Sequence, residues 1–164
     1  MLLSLMLTPP LWAQNSDFCD AVQIIMRDAP NQFRDICGKE VSNSMFAIVW
    51  ESGIKLPGTI AARFVYAKGL FYEDALLQTR NKQDIMPVYN MYTNMLDSCL
   101  MPLGYVPVDI ENANPGLEGY KKIAWFDEQV QDTSSKTIPP HVALEVTQTN
   151  EKDLFTLVLF IYEH

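Results

Sequence analysis

The stretch TIAARFVYAKGLFYEDALLQ, Thr59 to Gln78, decides the fold. Ile60, Ala62, Phe64 and Tyr66 alternate with Ala61, Arg63 and Val65. Side chains repeat with period two on a strand, so this pattern predicts a strand with one core face and one mixed face. Lys68-Gly69 is a short turn, and Leu70 to Gln78 resumes strand-like composition. The segment therefore reads as a hairpin of an antiparallel sheet.

Outward from that hairpin, the periodicity changes. Phe18, Val22, Ile25, Met26, Ala29, Phe33, Ile36 and Cys37 recur at helical spacing. They predict an amphipathic helix capped by Asp17 and Gly38 and interrupted at Pro30, which lacks a backbone donor. A second helix is expected from Asp84, with Pro87 in its first turn and Val88, Met91, Tyr92, Met95, Leu96 and Cys99 as its stripe. Strands are expected at Met45–Glu51, Thr59–Tyr66 and Leu70–Gln78 after the first helix. After the second they are expected at Lys121–Asp127, His141–Thr149 and Asp153–Tyr162. Leu154 to Ile161 is apolar on both faces apart from Thr156, which suits a central strand. Leu103–Gly119 and Gln129–Pro140 read as long irregular loops.

The two halves align on landmarks. Phe33-Arg34-Asp35-Ile36-Cys37 matches Met95-Leu96-Asp97-Ser98-Cys99, and Leu70-Phe71 matches Leu154-Phe155. Leu56-Pro57-Gly58 matches Ile138-Pro139-Pro140. The expectation is an α+β domain of two tandem αβββ units, about residues 17–79 and 80–164. Together they make a mostly antiparallel six-stranded sheet with two helices on one face.

Residues 1–13, MLLSLMLTPPLWA, resemble the apolar core and cleavage region of a signal peptide, although no basic residue precedes them. The domain is then 14–164. The apolar run is far short of the roughly 20 residues that a spanning helix requires, so no membrane span is expected. Location in a periplasm or outside the cell follows, where disulfides persist.

The chain has 164 residues and a net charge of -8, with twelve basic residues against twenty acidic. That balance opposes a nucleic-acid partner, because phosphate contacts require clustered Lys and Arg. Hydrophobic residues make up 48%, so the chain can bury a core without a metal or a dense disulfide framework. Three cysteines permit one bridge. Antiparallel helices would bring Cys19 to Cys99 and leave Cys37 at the far end of its helix, so Cys19–Cys99 is the expected pair.

Convergent chemistry is sparse. His141 near Asp127 or Glu128 would form an acid/base pair for a small hydrolase, but no nucleophile elbow accompanies it. The doublets Asp127-Glu128 and Glu73-Asp74 read as solvated edge charge, since neighbouring strand residues point to opposite faces. Neither cofactor nor metal motif appears. Trp50 and Trp125, expected on opposite sides of the sheet, join Tyr105 and His141 as candidate binding residues around an uncovered face. The sequence reading is thus a secreted or periplasmic, non-catalytic binding module. Its partner would be an envelope or extracellular protein, a small ligand or a second copy. A hydrolase or a holdase-like chaperone with a large exposed apolar patch is the alternative.

Overall fold

The computed structural model describes residues 11–67, 69–110, 121–128, 142–148 and 154–162. Helix α1 (Leu11–Asp28) is followed by strands β1 (Cys37–Asn43), β2 (Ile48–Ser52), β3 (Ala61–Tyr66) and β4 (Leu70–Thr79). Helix α2 (Lys82–Leu100) then precedes β5 (Tyr105–Asp109), β6 (Lys122–Asp127), β7 (Val142–Gln148) and β8 (Phe155–Tyr162). The eight strands form one sheet in the order β1-β2-β3-β4-β8-β7-β6-β5, and every neighbouring pair is antiparallel. The class is α+β as read from sequence, but the sheet has eight strands rather than six. The two additional strands are its two edges.

Those edges escape a periodicity reading for a physical reason. β1 is CGKEVSN, and every residue after Cys37 is exposed. An edge strand needs only one neighbour and little burial, so its pattern carries no apolar alternation. β5 is YVPVD and contains Pro107, a residue that sheets tolerate at an edge because its missing N–H breaks no interior ladder.

Helix α1 ends earlier than its stripe suggests. Pro30 sits in a short 3-10 turn, Ala29–Asn31, and the chain leaves it through left-handed Gln32 and Phe33. Such backbone is unusual for a bulky residue. It is held here because Phe33 is fully buried against Phe64, with ring centroids 5.0 Å apart. Asp28 organises the same turn: its carboxylate accepts from the Asp35 amide at 3.0 Å and from Asn31 Nδ2 at 3.1 Å. Cys37 therefore opens a strand instead of closing a helix.

Asn81 caps α2 by accepting from the Gln83 amide. Pro87 consequently lies in the second turn, not the first. The buried stripe is Ile85, Tyr89, Tyr92, Leu96, Cys99 and Leu100, while Met91 turns outward. Cys19 and Cys99 are bridged, with Cα atoms 5.2 Å apart, which ties α1 to the last turn of α2. Cys37 keeps a free, half-buried thiol, and burial pushes its pKa up.

The core lies between the helices and one face of the sheet. A single cross-strand row runs Trp50, Phe64, Tyr72, Ile161, Val142 and Trp125 through the registers of β2, β3, β4, β8, β7 and β6. Phe64, Tyr72, Ile161, Val142 and Trp125 in this row are each at most 1% exposed. β8 is central, flanked by β4 and β7. No helix among the described residues is long and apolar enough to cross a membrane.

Candidate binding surface and a buried carboxylate

Both tryptophans belong to the core face, which corrects the expectation that they point to opposite sides. Trp125 is fully buried, and its indole N–H donates to Asp97 Oδ1 of α2 at 2.9 Å. Trp50 packs half-buried against the same core. Both stand in one cross-strand row. Tyr105 begins β5 opposite Asp127. Burial and then the Asp127 charge raise its phenol. It lines an open cleft of about 240 Å³ with Gln23, Met26, Arg27 and Leu103. His141 lies outside the described residues, as does most of the loop before it. Among the described residues, no cluster of three or more His, Cys, Asp or Glu side chains could hold a metal ion.

The opposite face of the sheet is built by the alternate residues of the central strands. Phe71 stands opposite Tyr162, and Glu73 opposite Phe160. The three rings cluster: Phe71 lies 5.7 Å from Phe160 and 5.9 Å from Tyr162, and Phe160 stacks on Tyr162 at 6.1 Å. All three remain half-buried. Ion pairs flank them on both sides, Arg63–Glu73 at 2.7 Å and Lys122–Glu145 at 3.1 Å. Burial, then the charges of Glu145 and Glu73, push the Tyr162 phenol up to about 12. It therefore stays a neutral donor across the physiological range. An aromatic centre with a charged rim is the composition of a recognition surface. The aromatic residues of the central strands were the unread signal for it. Phe160 and Tyr162 fall on one face by period-two counting, and the β4–β8 register sets Phe71 beside them.

The second feature is Asp74. The doublet Glu73-Asp74 splits between faces as alternation requires, but Asp74 is no solvated edge charge. It is fully buried on the core face. Its Oδ2 accepts from Tyr72 Oη at 2.8 Å, Thr59 Oγ1 at 3.0 Å and the Leu56 amide at 3.2 Å. Among the described residues its Oδ1 has no hydrogen-bond partner. Three donors favour the anion, yet removal from water favours the neutral acid more, and the carboxyl is raised to about 6. The buried phenol of Tyr72 is raised in turn, by burial and by the Asp74 charge. The arrangement clamps the segment between β2 and β3 onto the sheet: Leu56 is 1% exposed, and Thr59 also donates to the Leu56 carbonyl at 2.8 Å. Among the described residues, its hydrogen bonds to Leu56, Thr59 and Tyr72 tie the β2–β3 connection to β4.

No known family matches the chain, no curated protein matches it in sequence, and no solved structure matches it.

Proposed function

We propose that this chain is a non-catalytic interaction module of an oxidising compartment, periplasmic or secreted. It recognises a protein partner through the sheet face opposite the helices. The observation that carries this reading is the Phe71–Phe160–Tyr162 cluster between two ion pairs. Aromatic anchors ringed by polar groups supply most of the energy of typical protein interfaces. The Cys19–Cys99 bridge supports the compartment, with residues 1–13 as the removable leader. Helix α1 starts at Leu11, so its first turn overlaps the end of that leader.

We also read the chain as a tandem duplication, now of αββββ units. Each helix runs into a 3-10 turn with proline in second place, Pro30 or Pro102, followed by a left-handed residue, Gln32 or Gly104. Four strands follow in each half, and the sheet order is symmetric about the β4–β8 pair.

Affinity capture from an envelope extract tests the function. The full chain is compared with Phe71→Ser/Tyr162→Ser and with the milder Arg63→Ala. A defined partner retained by the wild type and lost with the double variant, at an unchanged far-UV spectrum, is the expected result. Equal retention by all three proteins, or no partner for any, sinks the proposal.

A further inference from the structure

The segment joining β2 to β3, residues 53–60, is fastened at both ends. The Gly53 amide donates to the Ile36 carbonyl and the Ile60 amide to the Ala75 carbonyl, each at 2.7 Å. Between these ends Lys55, Pro57 and Gly58 are exposed, and Ile54 packs partly against the core. Leu56 and Thr59 are the buried residues of the segment, 1% and 8% exposed. The same two residues hold Asp74: the Leu56 amide and the Thr59 hydroxyl both donate to its Oδ2. Gly58 lies between them at a φ of 79°, a left-handed backbone that glycine adopts without strain. The segment thus has two anchored ends, a glycine turn and a buried grip centred on one carboxyl.

That grip is sensitive to charge. All three donors at Asp74 converge on Oδ2, and among the described residues Oδ1 has no partner. A proton on Oδ1 therefore removes the charge and breaks none of the three bonds. Loss of the proton leaves an anion at 0% exposure. The groups that face it are the Tyr72 phenol from β4, the Tyr92 phenol from α2, and Thr59 and Lys55 from the segment itself. The strands on either side place Ala62 and Leu159 beside it. Lys55 is the one cation among these groups, and its exposed ammonium donates to the Ile60 carbonyl at 3.0 Å. Burial takes the carboxyl up to about 6, so it changes charge between acid and neutral pH. A buried anion regains water either by unfolding of the whole domain or by release of its cover. Release breaks the two bonds from Leu56 and Thr59 and exposes one leucine, and it leaves the ladder between β4 and β8 in place.

We propose that residues 53–60 form a charge-sensitive latch, closed over Asp74 while the carboxyl keeps its proton and released from an intact sheet when the proton leaves. The closed form binds the proton more tightly than the open form, in which Asp74 is hydrated. Closure is therefore favoured below about pH 4, and opening gains as pH rises through about 6. The gain between pH 4 and pH 7.5 is about a hundredfold in the opening equilibrium. The open segment gives water access to Asp74 and uncovers the phenols of Tyr72 and Tyr92. This inference is independent of the sheet-face reading, because Asp74 lies on the core face and Phe71, Phe160 and Tyr162 lie on the other.

Amide hydrogen exchange of the intact, disulfide-bonded chain tests it, followed residue by residue by NMR from pH 4 to pH 7.5. Each rate is divided by that of an unstructured chain at the same pH, which leaves the protection due to structure. The Leu56 amide should lose about a hundredfold in protection across the range. It should respond little to low urea, the mark of a local opening. Amides of the central strand β8 should stay better protected and respond to urea in full. Asp74→Asn should flatten the pH dependence at Leu56. Leu56→Ala leaves the carboxyl in place, so it should lower protection of the same amide at least tenfold at every pH and keep the slope. That variant tests the latch even if Asp74→Asn fails to fold. Exchange at Leu56 that tracks β8 in rate and urea response overturns the proposal, because the segment would then open only with the whole domain. A pH-flat profile in the wild type or in Leu56→Ala overturns it too, as does a slope that survives in Asp74→Asn.

Discussion

Replacing Asp74 by Asn should make the protein more stable at neutral pH and leave it nearly unchanged in acid. Two effects compete at this carboxyl. Three donors converge on Oδ2 and, acting alone, would hold the pKa low. Full burial with an unpartnered Oδ1 acts the other way and wins, taking the group from 3.8 to about 6. Tyr72, Thr59 and Tyr92 surround it on the core side, and the Lys55 charge only partly relieves it. Because the folded pKa lies above the unfolded one, the fold prefers the neutral acid. The stability this group contributes is complete below about pH 4 and is lost as pH rises through about 6. A rise of that size corresponds to about 3 kcal/mol. Asparagine keeps an oxygen for the three donors and never ionises. The urea-unfolding free energy of Asp74→Asn minus that of wild type should therefore grow by about 3 kcal/mol between pH 4 and pH 7.5. For a domain of this size that is roughly 6–12 °C in Tm. The assay is urea denaturation of both proteins across that range with the disulfide intact and equal m-values. A difference that is flat with pH would refute the reasoning. One that turns against Asn as pH rises would mean that the three donors outweigh burial.

Other perturbations have expected sizes. Cys19→Ser/Cys99→Ser opens a crosslink spanning 80 residues and should cost about 4 kcal/mol in urea unfolding, by the chain-entropy estimate. Asp28→Ala removes the acceptor of the part-buried Asp35 amide hydrogen bond at the turn after α1 and should cost about 1 kcal/mol by the same measurement. A double-mutant cycle of Trp125→Phe with Asp97→Ala should show coupling of about 1 kcal/mol, the worth of one indole hydrogen bond. Arg63→Ala breaks a partly exposed ion pair and should change unfolding free energy by less than about 1 kcal/mol.

The legible part of this fold was the part that buries side chains on one face. β3, β4, β6, β7 and β8 lie within a residue or two of their sequence reading, because β4 alternates about Tyr72 and β8 is a continuous apolar run of strand length. The Cys19–Cys99 pair was legible, although Cys19 lies midway along α1 rather than at its start. What escaped was set by context. Gly38 to Asn43 carries no apolar pattern, since an edge needs none. The Trp50 and Trp125 faces depended on register, and a single-residue slip inverts a strand's faces. Asp74 was misread from its charge. Its neighbours at two-residue spacing, Tyr72 and Leu76, already placed it on the core face. The sheet-face cluster was equally legible from Phe71, Phe160 and Tyr162, but only once β4 and β8 were known to be neighbours.

The two edges also constrain how this molecule can associate. An exposed edge strand is a template for pairing with another chain unless something blunts it. β1 is blunted twice: its register against β2 shifts on either side of Glu40, and Lys39 and Glu40 charge its outer half. β5 carries Pro107, which has no amide to offer. Backbone pairing between copies is thereby discouraged at both ends of the sheet. Yet the same β1 ends in a turn whose hydrogen bonds hold Met45 and Phe46 in water. An edge guarded against strand addition, with an apolar tip built beside it, separates two kinds of contact. Sheet extension is discouraged while the Met45-Phe46 pair stays in water. If that separation matters, replacing Lys39 and Glu40 by Val should produce thioflavin-positive aggregation that Phe46→Ser does not cure. Phe46→Ser alone should leave solubility intact. Aggregation of the Val variant that Phe46→Ser abolishes would show instead that one surface serves both.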